Sequence, residues 1–301
     1  MAMKALFLDC NDQLAPVWDM VLRPDDPPID VNMAPFAREE LPLTLAGYDV
    51  VLDDHSPMPT KLVARCKQLK HIVFLGTGTA SYMNVDELTA SGVFVHTIKG
   101  YGDTAVAEHT IALMFAAARD VARMDRAVRS GVWTPREGIQ LHGKTLGVIG
   151  LGGIGREVAR MGRGIGMHVI GWNRTRRAGV PLVELDALLE HADVVSINLT
   201  LNDETCGFLS KEHIAHMKPG AILVNTARGA LVDEVALIEA LTSGHIRHAG
   251  LDVFHDEPLK SDHPLARMDN VTLTSHAAFR TLEASMLLLR RAIDIVKKLV
   301  K

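Results

Sequence analysis

The sequence is poor in the features that mark several classes of protein. It has only 3 cysteines in 301 residues, and Cys10, Cys66 and Cys206 have no metal-type spacing, which excludes a disulfide framework and favours a reducing compartment. The longest apolar run, residues 111–118, is far too short to span a bilayer. The start of the chain has no signal-peptide pattern. We therefore expect a soluble, cytoplasmic protein.

An excess of one charge sign is also absent. The formal net charge is -4, which provides no electrostatic attraction for nucleic acid or an anionic membrane. A small-molecule partner is favoured instead, and no metal site is predicted. With 48% hydrophobic and 23% charged residues, a chain of this length can bury two cores, so we expect two domains.

A glycine turn between two predicted strands organises the chain. Gly150, Gly152 and Gly155 are in G-x-G-x-x-G register, which allows a tight turn, the close approach of a pyrophosphate and close packing of a helix on a strand. The flanking predictions are strands at 146–149 and 168–172 and a helix at 154–161. This order favours a dinucleotide site over a glycine-rich structural turn.

Short apolar runs alternate with helical patterns along the chain, which predicts an α/β protein with two doubly wound parallel sheets. The predicted strands of the first half are 3–8, 49–52, 71–75 and 93–96, and its helices are 60–69 and 85–90. The later strands, at 194–199, 221–225, 248–253 and 271–274, extend a Rossmann sheet to about seven strands. The later helices are 185–189, 211–217, 234–243 and 281–299. Prolines at five positions predict an irregular segment at 23–42.

A long helical pattern covers residues 103–129. Asp103 is the expected N-cap and Gly131 the expected stop. Because apolar residues surround this helix, we expect it to pair with a second subunit in a homodimer. The alternative is a helix wholly buried within one protomer.

Reactive side chains follow three of the later strands, where doubly wound sheets bind their ligands. Arg228 offers a planar guanidinium suited to a carboxylate. His276 can exchange a proton near neutral pH, and Glu257 beside it would hold its ring. Singly, each has an ordinary alternative: a surface ion pair, a structural histidine or a solvated turn. Together, behind a dinucleotide turn, they predict a catalytic site.

Four motifs resemble the D-isomer-specific 2-hydroxyacid dehydrogenase family in order and spacing: LHGKTLGVIGLGGIG, MKPGAILVNTARGALVDEVAL, HAGLDVFHDEPL and NVTLTSHAA. The resemblance covers almost the whole chain. It implies a flavodoxin-like substrate domain of residues 1–98 plus 282–301, with a Rossmann domain of residues 99–281 inserted between. It also implies hydride transfer between nicotinamide C4 and C2 of the acid, with His276 as acid/base.

The resemblance extends to individual residues. The catalytic candidates are Arg228, Glu257 and His276. The cofactor-binding candidates are Gly150, Gly152, Gly153, Ile154, Gly155, Asn173, Arg174, Thr175, Arg176, Thr200, Thr205, Thr226, Ala227, Arg228, Asp252, His276 and Ala278. Asp252 resembles the family's carboxamide ligand. The substrate-binding candidates are Gly76, Thr77, Gly78, Thr79, Arg228 and His276, with backbone N–H groups of the 75–86 loop on the substrate carboxylate.

The chain departs from the family pattern on the substrate side. Thr200 stands where proline is common, Gly102-Asp103 stands where Asn-Ser or Asn-Thr is common, and the 75–86 loop is longer than the G-x-G-x-D-N form. No residue in 76–84 is basic, which argues against a phosphorylated substrate. We expect a small 2-oxo acid such as glyoxylate or hydroxypyruvate.

The end of the second strand of the glycine unit predicts the cofactor. An NAD enzyme usually places Asp or Glu there to bind the ribose hydroxyls. This chain has Asn173, followed by Arg174, Thr175, Arg176 and Arg177. The missing carboxylate and the guanidinium groups of Arg174 and Arg176 favour NADP, with NAD possible. The alternative is a solvated basic turn.

The sequence therefore predicts an NADP-preferring glyoxylate or hydroxypyruvate reductase. The alternative from a different class is a non-catalytic, nucleotide-sensing binding protein, because the family includes a transcriptional corepressor with the same fold.

Overall fold

The structure, a computed structural model, describes residues 3–175 and 179–300. The chain divides into two compact units. The first unit is Met1–Gly102 with Arg280–Lys301, and the second unit is Asp103–Phe279. Among the described residues, no helix has the length and hydrophobicity needed to cross a bilayer.

The strands in chain order are β1 (Ala5–Phe7), β2 (Ile29–Val31), β3 (Val50–Asp53), β4 (His71–Phe74), β5 (Phe94–Thr97), β6 (Thr145–Ile149), β7 (His168–Trp172), β8 (Val194–Ile197), β9 (Ala221–Asn225), β10 (Ile246–Leu251) and β11 (Val271–Leu273). The helices are α1 (Ala15–Val21), α2 (Leu41–Thr44), α3 (Thr60–Val63), α4 (Val85–Ala90), α5 (Asp103–Ala118), α6 (Val121–Arg129), α7 (Gly153–Gly164), α8 (Leu185–His191), α9 (Lys211–His216), α10 (Glu234–Ser243), α11 (Pro264–Arg267) and α12 (Leu282–Leu299). Short 3₁₀ turns lie at Arg38–Glu40, Thr79–Ser81 and Gly229–Leu231.

The first unit is a parallel sheet in the order β2-β1-β3-β4-β5. Successive residues of a strand point to opposite faces, and β1 shows the result: Ala5 and Phe7 pack in a core with α1 and α12, whereas Leu6 packs in a core on the other face. The strand order reverses between β1 and β3, which makes the carboxyl ends of these two strands the expected ligand position.

The second unit is a parallel sheet in the order β11-β10-β9-β8-β6-β7. Its strands are buried on both faces, and β9 alternates between the two cores, with Leu223 on one side and Val224 on the other. The strand order reverses between β6 and β8. The glycine turn after β6 therefore lies at the point where doubly wound sheets bind dinucleotides. The predicted pair of doubly wound sheets is confirmed.

Four sequence predictions about the elements were wrong, and three of them concern short elements or the strand count. The segment 23–42 contains β2, a short edge strand that pairs with β1 through its backbone and has only one half-buried residue, so its side chains carry almost no strand signal. The second sheet has six strands among the described residues, not seven. The predicted helix 60–69 is limited to α3.

The predicted helix 103–129 is also wrong, because it breaks into α5 and α6. Asp120 between them has a φ of 54°, in the left-handed region that side chains rarely adopt. The carbonyl of Ala118 accepts the N–H of Ile139 at 2.8 Å instead of continuing the helix. Contacts with a distant segment thus end α5, and no local residue signals the break.

Candidate functional site

Glycines shape the turn that follows β6. Gly150 has a φ of 89°, and a Cβ there would lie 2.5 Å from the carbonyl oxygen of Asn198. A Cβ at Gly155 would lie 3.0 Å from the carbonyl carbon of Gly150, so glycine lets α7 pack directly against the end of β6. No described atom lies within 4 Å of the Cβ position at Gly152. The open space over the first turn of α7, which includes Ile154, fits the pyrophosphate of a dinucleotide.

Asp103 lies against the same turn. A Cβ at Gly153, the first residue of α7, would lie 2.5 Å from Cγ and 3.0 Å from Oδ1 of Asp103. The prediction that Asp103 is the N-cap of α5 is wrong, because the helix begins with this residue. With Asp103 in this position, only glycine fits at 153.

Asn173 connects the end of β7 to the glycine turn. Its Oδ1 accepts the N–H of Leu151 at 2.8 Å, and its Nδ2 donates to the carbonyl of Thr175 at 2.7 Å. The neutral side chain thus holds the turn and orders the residues that follow. Position 173 therefore has no carboxylate that could accept hydrogen bonds from the ribose hydroxyls or repel a 2′-phosphate.

Arg174 is exposed, and its Nη1 lies 2.6 Å from Oε2 of Glu204. Glu204 belongs to the loop after β8, in which Oγ1 of Thr205 donates to the carbonyl of Thr200 at 2.7 Å. The two predicted threonines therefore lie together, and their loop supplies the partner of Arg174. Arg176 lies outside the described residues.

His276 and Glu257 form a hydrogen-bonded pair. Nδ1 of His276 lies 2.7 Å from Oε2 of Glu257, and Oε1 of Glu257 accepts the N–H of Phe254 at 3.0 Å. The two side chains are about one-third exposed, at 32% and 35%. Because Nδ1 is held by the carboxylate, Nε2 is left to exchange a proton with a ligand.

Arg228 follows β9. The neighbouring strand, β10, leads to the turn that carries Glu257. A Cβ at Gly229 would lie 2.5 Å from the backbone nitrogen of His255, so this glycine lets the turn that carries Arg228 pack on the turn after β10. Arg228 is half-buried and its Nη1 donates to the carbonyl of Ala227 at 2.6 Å. No other described residue accepts from this guanidinium, so its other donors remain for a carboxylate.

Asp252 is a fully buried carboxylate at the end of β10. Its two side-chain oxygens accept the N–H groups of Ala277 and Ala278 at 2.9 and 3.0 Å, and its carbonyl accepts the N–H of His276 at 2.8 Å. His276 has a φ of 52°, a conformation that non-glycine residues rarely adopt. Asp252 therefore holds the turn that presents the histidine.

Two residues that the sequence analysis missed complete this network. Oγ1 of Thr274 donates to Oδ1 of Asp252 at 2.6 Å, and Nε2 of His109 on α5 lies 2.9 Å from the same hydroxyl. Burial acts to raise the pKa of Asp252, but hydrogen bonds from His109, Thr274 and the backbone outweigh burial and lower that pKa below its usual value. Thr274 lies within the LTSHAA motif, whereas nothing local marks His109.

The remaining second-unit candidates line the same edge of the sheet. Oγ1 of the buried Thr226 lies 2.8 Å from Oγ1 of Thr110, which itself donates to the carbonyl of Val106. The N–H of Ala227 donates to Oδ1 of Asn225 at 3.0 Å. These bonds fix the backbone between β9 and Arg228.

The candidate substrate loop belongs to the first unit, after β4. The carbonyl of Gly76 accepts the N–H of Ile98 at 3.0 Å, and Thr79 begins a 3₁₀ turn. The N–H groups of Thr77 and Gly78 donate to no other residue in the described ranges. They are therefore free to bind a carboxylate.

Carboxylates cluster after β1 and β3 of the first unit. Asp9 accepts the N–H groups of Asp54 and His55 at 2.8 and 2.9 Å, and Asp53 accepts the N–H of Ser56 at 3.0 Å. Asp53 is fully buried, and burial with the nearby charge of Asp9 raises the pKa of its carboxyl well above the usual value. Acidic groups thus occupy the point where the strand order reverses.

Comparison with known proteins decides the family. Residues 111–278 match the family model described as D-isomer specific 2-hydroxyacid dehydrogenase, NAD binding domain. The chain belongs to this dehydrogenase family. The predicted family is confirmed, and with it a nicotinamide-binding domain and, at the level of the family, an oxidoreductase.

Individual members of the dehydrogenase family resemble most of the chain. It is 38% identical over 259 residues to D-3-phosphoglycerate dehydrogenase of Archaeoglobus fulgidus, which covers 83% of this chain and 49% of that protein. It is 39% identical over 240 residues to glyoxylate reductase of Aeropyrum pernix, covering 75% of this chain and 71% of the relative. The chain spans about half the length of the phosphoglycerate dehydrogenases that it matches.

Solved structures of the dehydrogenase family share the fold. The crystal structure of a glyoxylate reductase from Paecilomyes thermophila superposes with a TM-score of 0.89 at 29% sequence identity. The match covers 100% of this chain and 96% of that chain. Both parallel sheets therefore belong to the family architecture.

Proposed function

We propose that this protein reduces a small 2-oxo acid, such as glyoxylate or hydroxypyruvate, to the D-2-hydroxy acid with a nicotinamide cofactor, preferably NADPH. The observation that carries the proposal is the hydrogen bond of His276 to Glu257, at the same sheet edge as the glycine turn. In this proposal the first unit supplies the substrate domain and the second unit the cofactor domain.

His276 is the proposed acid/base. The nicotinamide, when bound, supplies a hydride to C2 of the acid. His276 donates a proton from Nε2 to the C2 oxygen during reduction, because its Nδ1 is held by Glu257 at 2.7 Å. The carboxylate of Glu257 stabilises the imidazolium before the transfer and keeps the ring in place.

Arg228 is the proposed ligand of the substrate carboxylate. Its guanidinium has one donor on the carbonyl of Ala227 at 2.6 Å, which fixes the plane of the group. A planar guanidinium can form two parallel hydrogen bonds to a carboxylate, and this geometry also orients C2. The backbone N–H groups of Thr77 and Gly78 are proposed as further carboxylate donors.

The acidic groups of the first unit support an unphosphorylated substrate. The loops after β1 and β3 contain Asp9, Asp53 and Asp54 and, by sequence, no lysine or arginine in residues 8–14 and 53–59. No residue in 76–84 is basic either. A phosphate at these strand ends would lie among carboxyl groups, with no lysine or arginine of these segments to pair with it.

The cofactor preference rests on the residues after β7. Asn173 carries no charge, and the exposed guanidinium of Arg174 lies in the adjacent position. A bound 2′-phosphate would replace Glu204 as the partner of Arg174 and would accept a charge-assisted hydrogen bond from its guanidinium. We propose that Arg174 binds this phosphate, and Arg176 remains part of the proposal from the sequence alone.

Exposed apolar side chains support a homodimer. None of the residues of α6 is buried, and Val121 and Val128 are 49% and 52% exposed. The next segment adds Val132 and Trp133, at 50% and 84% exposed. Apolar patches of this kind mark subunit contacts. Light scattering should report twice the 32.8 kDa mass of the chain, and a monomer at micromolar concentration would contradict the proposal.

The proposed cytoplasmic location rests on three unpaired cysteines.

The deciding experiment is turnover. Purified protein is mixed with NADPH or NADH and with glyoxylate, hydroxypyruvate, pyruvate or phosphohydroxypyruvate, and oxidation of the cofactor is followed by absorbance. We expect the highest kcat/KM with a small unphosphorylated acid and NADPH. Binding of the cofactor without turnover of any acid would favour the nucleotide-sensing protein. A preference for phosphohydroxypyruvate would contradict the proposal of an unphosphorylated substrate.

A further inference from the structure

The turn that presents His276 is strained and needs an anchor. The φ of His276 is 52°, in the left-handed region that is unfavourable for residues with a side chain. Three consecutive N–H groups, of His276, Ala277 and Ala278, all donate to Asp252. The position of the imidazole therefore depends on the position of one buried carboxylate.

The direction of the hydrogen bonds makes His109 the outer end of a chain of donors. The carboxylate of Asp252 can only accept, so the hydroxyl of Thr274 donates to it at 2.6 Å. That hydroxyl has a single proton and must accept from Nε2 of His109 at 2.9 Å. His109 thus carries a proton on Nε2 and fixes the rotation of the threonine.

His109 also approaches the carboxylate directly. Nε2 of His109 lies 3.5 Å from Oδ1 of Asp252. This contact places a basic side chain within 4 Å of that carboxylate. A buried carboxylate without a counter-charge is costly. The side chain of His109 is 25% exposed, so it keeps contact with water.

We propose that His109 is a positioning residue for the active site: through Thr274 it holds the Asp252 carboxylate in the place that fixes the turn of His276. The proposal rests on the proposed function, in which His276 moves the proton. His109 itself is on α5 and exchanges no proton with the substrate. The lowered pKa of Asp252 agrees with this arrangement, because burial alone would raise it.

The first test removes the link between the two residues. Thr274→Val keeps the shape of the side chain without its hydroxyl, and His109→Leu removes the donor. We expect each to lower kcat about ten- to a hundredfold, as for a misplaced catalytic group, with KM for the acid changed less than about threefold. Thr274→Ser and His109→Gln keep the hydroxyl and the donor, and we expect them to restore most of kcat.

A matched pair in the same sheet provides the control. Nε2 of His248 lies 2.9 Å from Oγ1 of Thr272, and both residues are buried. Among the hydrogen bonds of the described residues, none joins either side chain to Asp252 or to the turn of His276. Thr272→Val and His248→Gln should lower the melting temperature without changing kcat. If Thr274→Val lowered stability and left kcat unchanged, as expected for the control, the positioning role would be rejected.

Amide hydrogen exchange gives a readout that does not require turnover. The N–H groups of Ala277 and Ala278 are held by Asp252, so Thr274→Val should speed their exchange about tenfold, whereas Thr272→Val should not. Unchanged exchange at both amides would overturn the proposal. If no 2-oxo acid is reduced by the parent, the proposed function fails, and the exchange result still decides the role of His109.

Discussion

If Arg174 binds a 2′-phosphate as proposed, Glu204 competes for the same guanidinium, and Glu204→Gln should increase the preference for NADPH. The two charged groups are 2.6 Å apart and 73–77% exposed, so their ion pair stabilises the fold by at most about 1 kcal/mol. A charge-assisted hydrogen bond to phosphate contributes about 1.5 to 3 kcal/mol. Arg174 thus gains by changing partners, and removal of the competing carboxylate should raise kcat/KM for NADPH about two- to fivefold.

The assay is kcat/KM for NADPH and NADH in the parent and in four variants. We expect Arg174→Ala to lower the NADPH value about ten- to a hundredfold, with NADH changed less than about threefold. The increase in kcat/KM for NADPH caused by Glu204→Gln should be smaller in the Arg174→Ala background, because this substitution acts by releasing Arg174. The control is Glu239→Gln, which breaks the comparable exposed pair of Glu239 with Lys211 at 2.9 Å and should change neither value.

Two results would refute this reasoning. A parent enzyme that prefers NADH would show that Asn173 and Arg174 do not select the 2′-phosphate. A Glu204→Gln variant with weaker use of NADPH would show that the carboxylate orients Arg174 for the phosphate and does not compete with it.

Four further predictions concern the catalytic residues and one internal ion pair. His276→Asn should lower kcat at least about a hundredfold with the cofactor Kd retained, and near-normal turnover would exclude it as acid/base. Glu257→Gln should shift the pH profile of reduction to lower pH, because the imidazolium loses its anionic partner; an unchanged profile would remove Glu257 from the role. Arg228→Lys should raise KM for the acid at least about tenfold, since an ammonium lacks the planar fork, and a normal KM would point to another ligand. Arg290 donates two hydrogen bonds to the 3%-exposed carboxylate of Asp26 and lowers the pKa of Asp26 to about 2. The stabilisation from this ion pair is complete above the pKa of Asp26 in the unfolded chain, about 4, and is lost as the pH falls towards 2. Asp26→Asn should therefore reduce the free energy of urea unfolding at pH 7 by about 3 kcal/mol and weaken the dependence of that free energy on acid pH. Equal stability of the two proteins would show that the ion pair does not stabilise the fold.

Local patterns predicted the elements that hold the candidate site. Strand β9 and helix α10 have the predicted bounds, because each is a continuous apolar or capped segment whose signal lies within a few residues. The glycine turn was predictable for the same reason: Gly150, Gly152 and Gly155 act on a single turn. The order of the strands then brings the residues after β9, β10 and β11 to one edge.

Contacts between distant segments could not be predicted in this way. The contact of His109 with Thr274 joins residues 165 positions apart, and that of Arg174 with Glu204 joins residues 30 positions apart. The periodic patterns of helices and strands relate only residues that are a few positions apart, so they predict neither contact. The break at Asp120 likewise depends on the N–H of Ile139. Strand β2 was missed because an edge strand of three residues is held by its backbone and buries almost nothing.

The contact of Asp103 with Gly153 constrains how this turn can evolve. A side chain at position 153 would collide with the carboxylate in its present position, since its Cβ would lie 2.5 Å from Cγ of Asp103. Alanine or serine at position 153 therefore requires that Asp103 turn its carboxylate aside or be replaced by a smaller residue. The constraint applies where α5 and α7 lie side by side. Substitutions at the two positions are therefore coupled, although 50 residues separate them in the sequence.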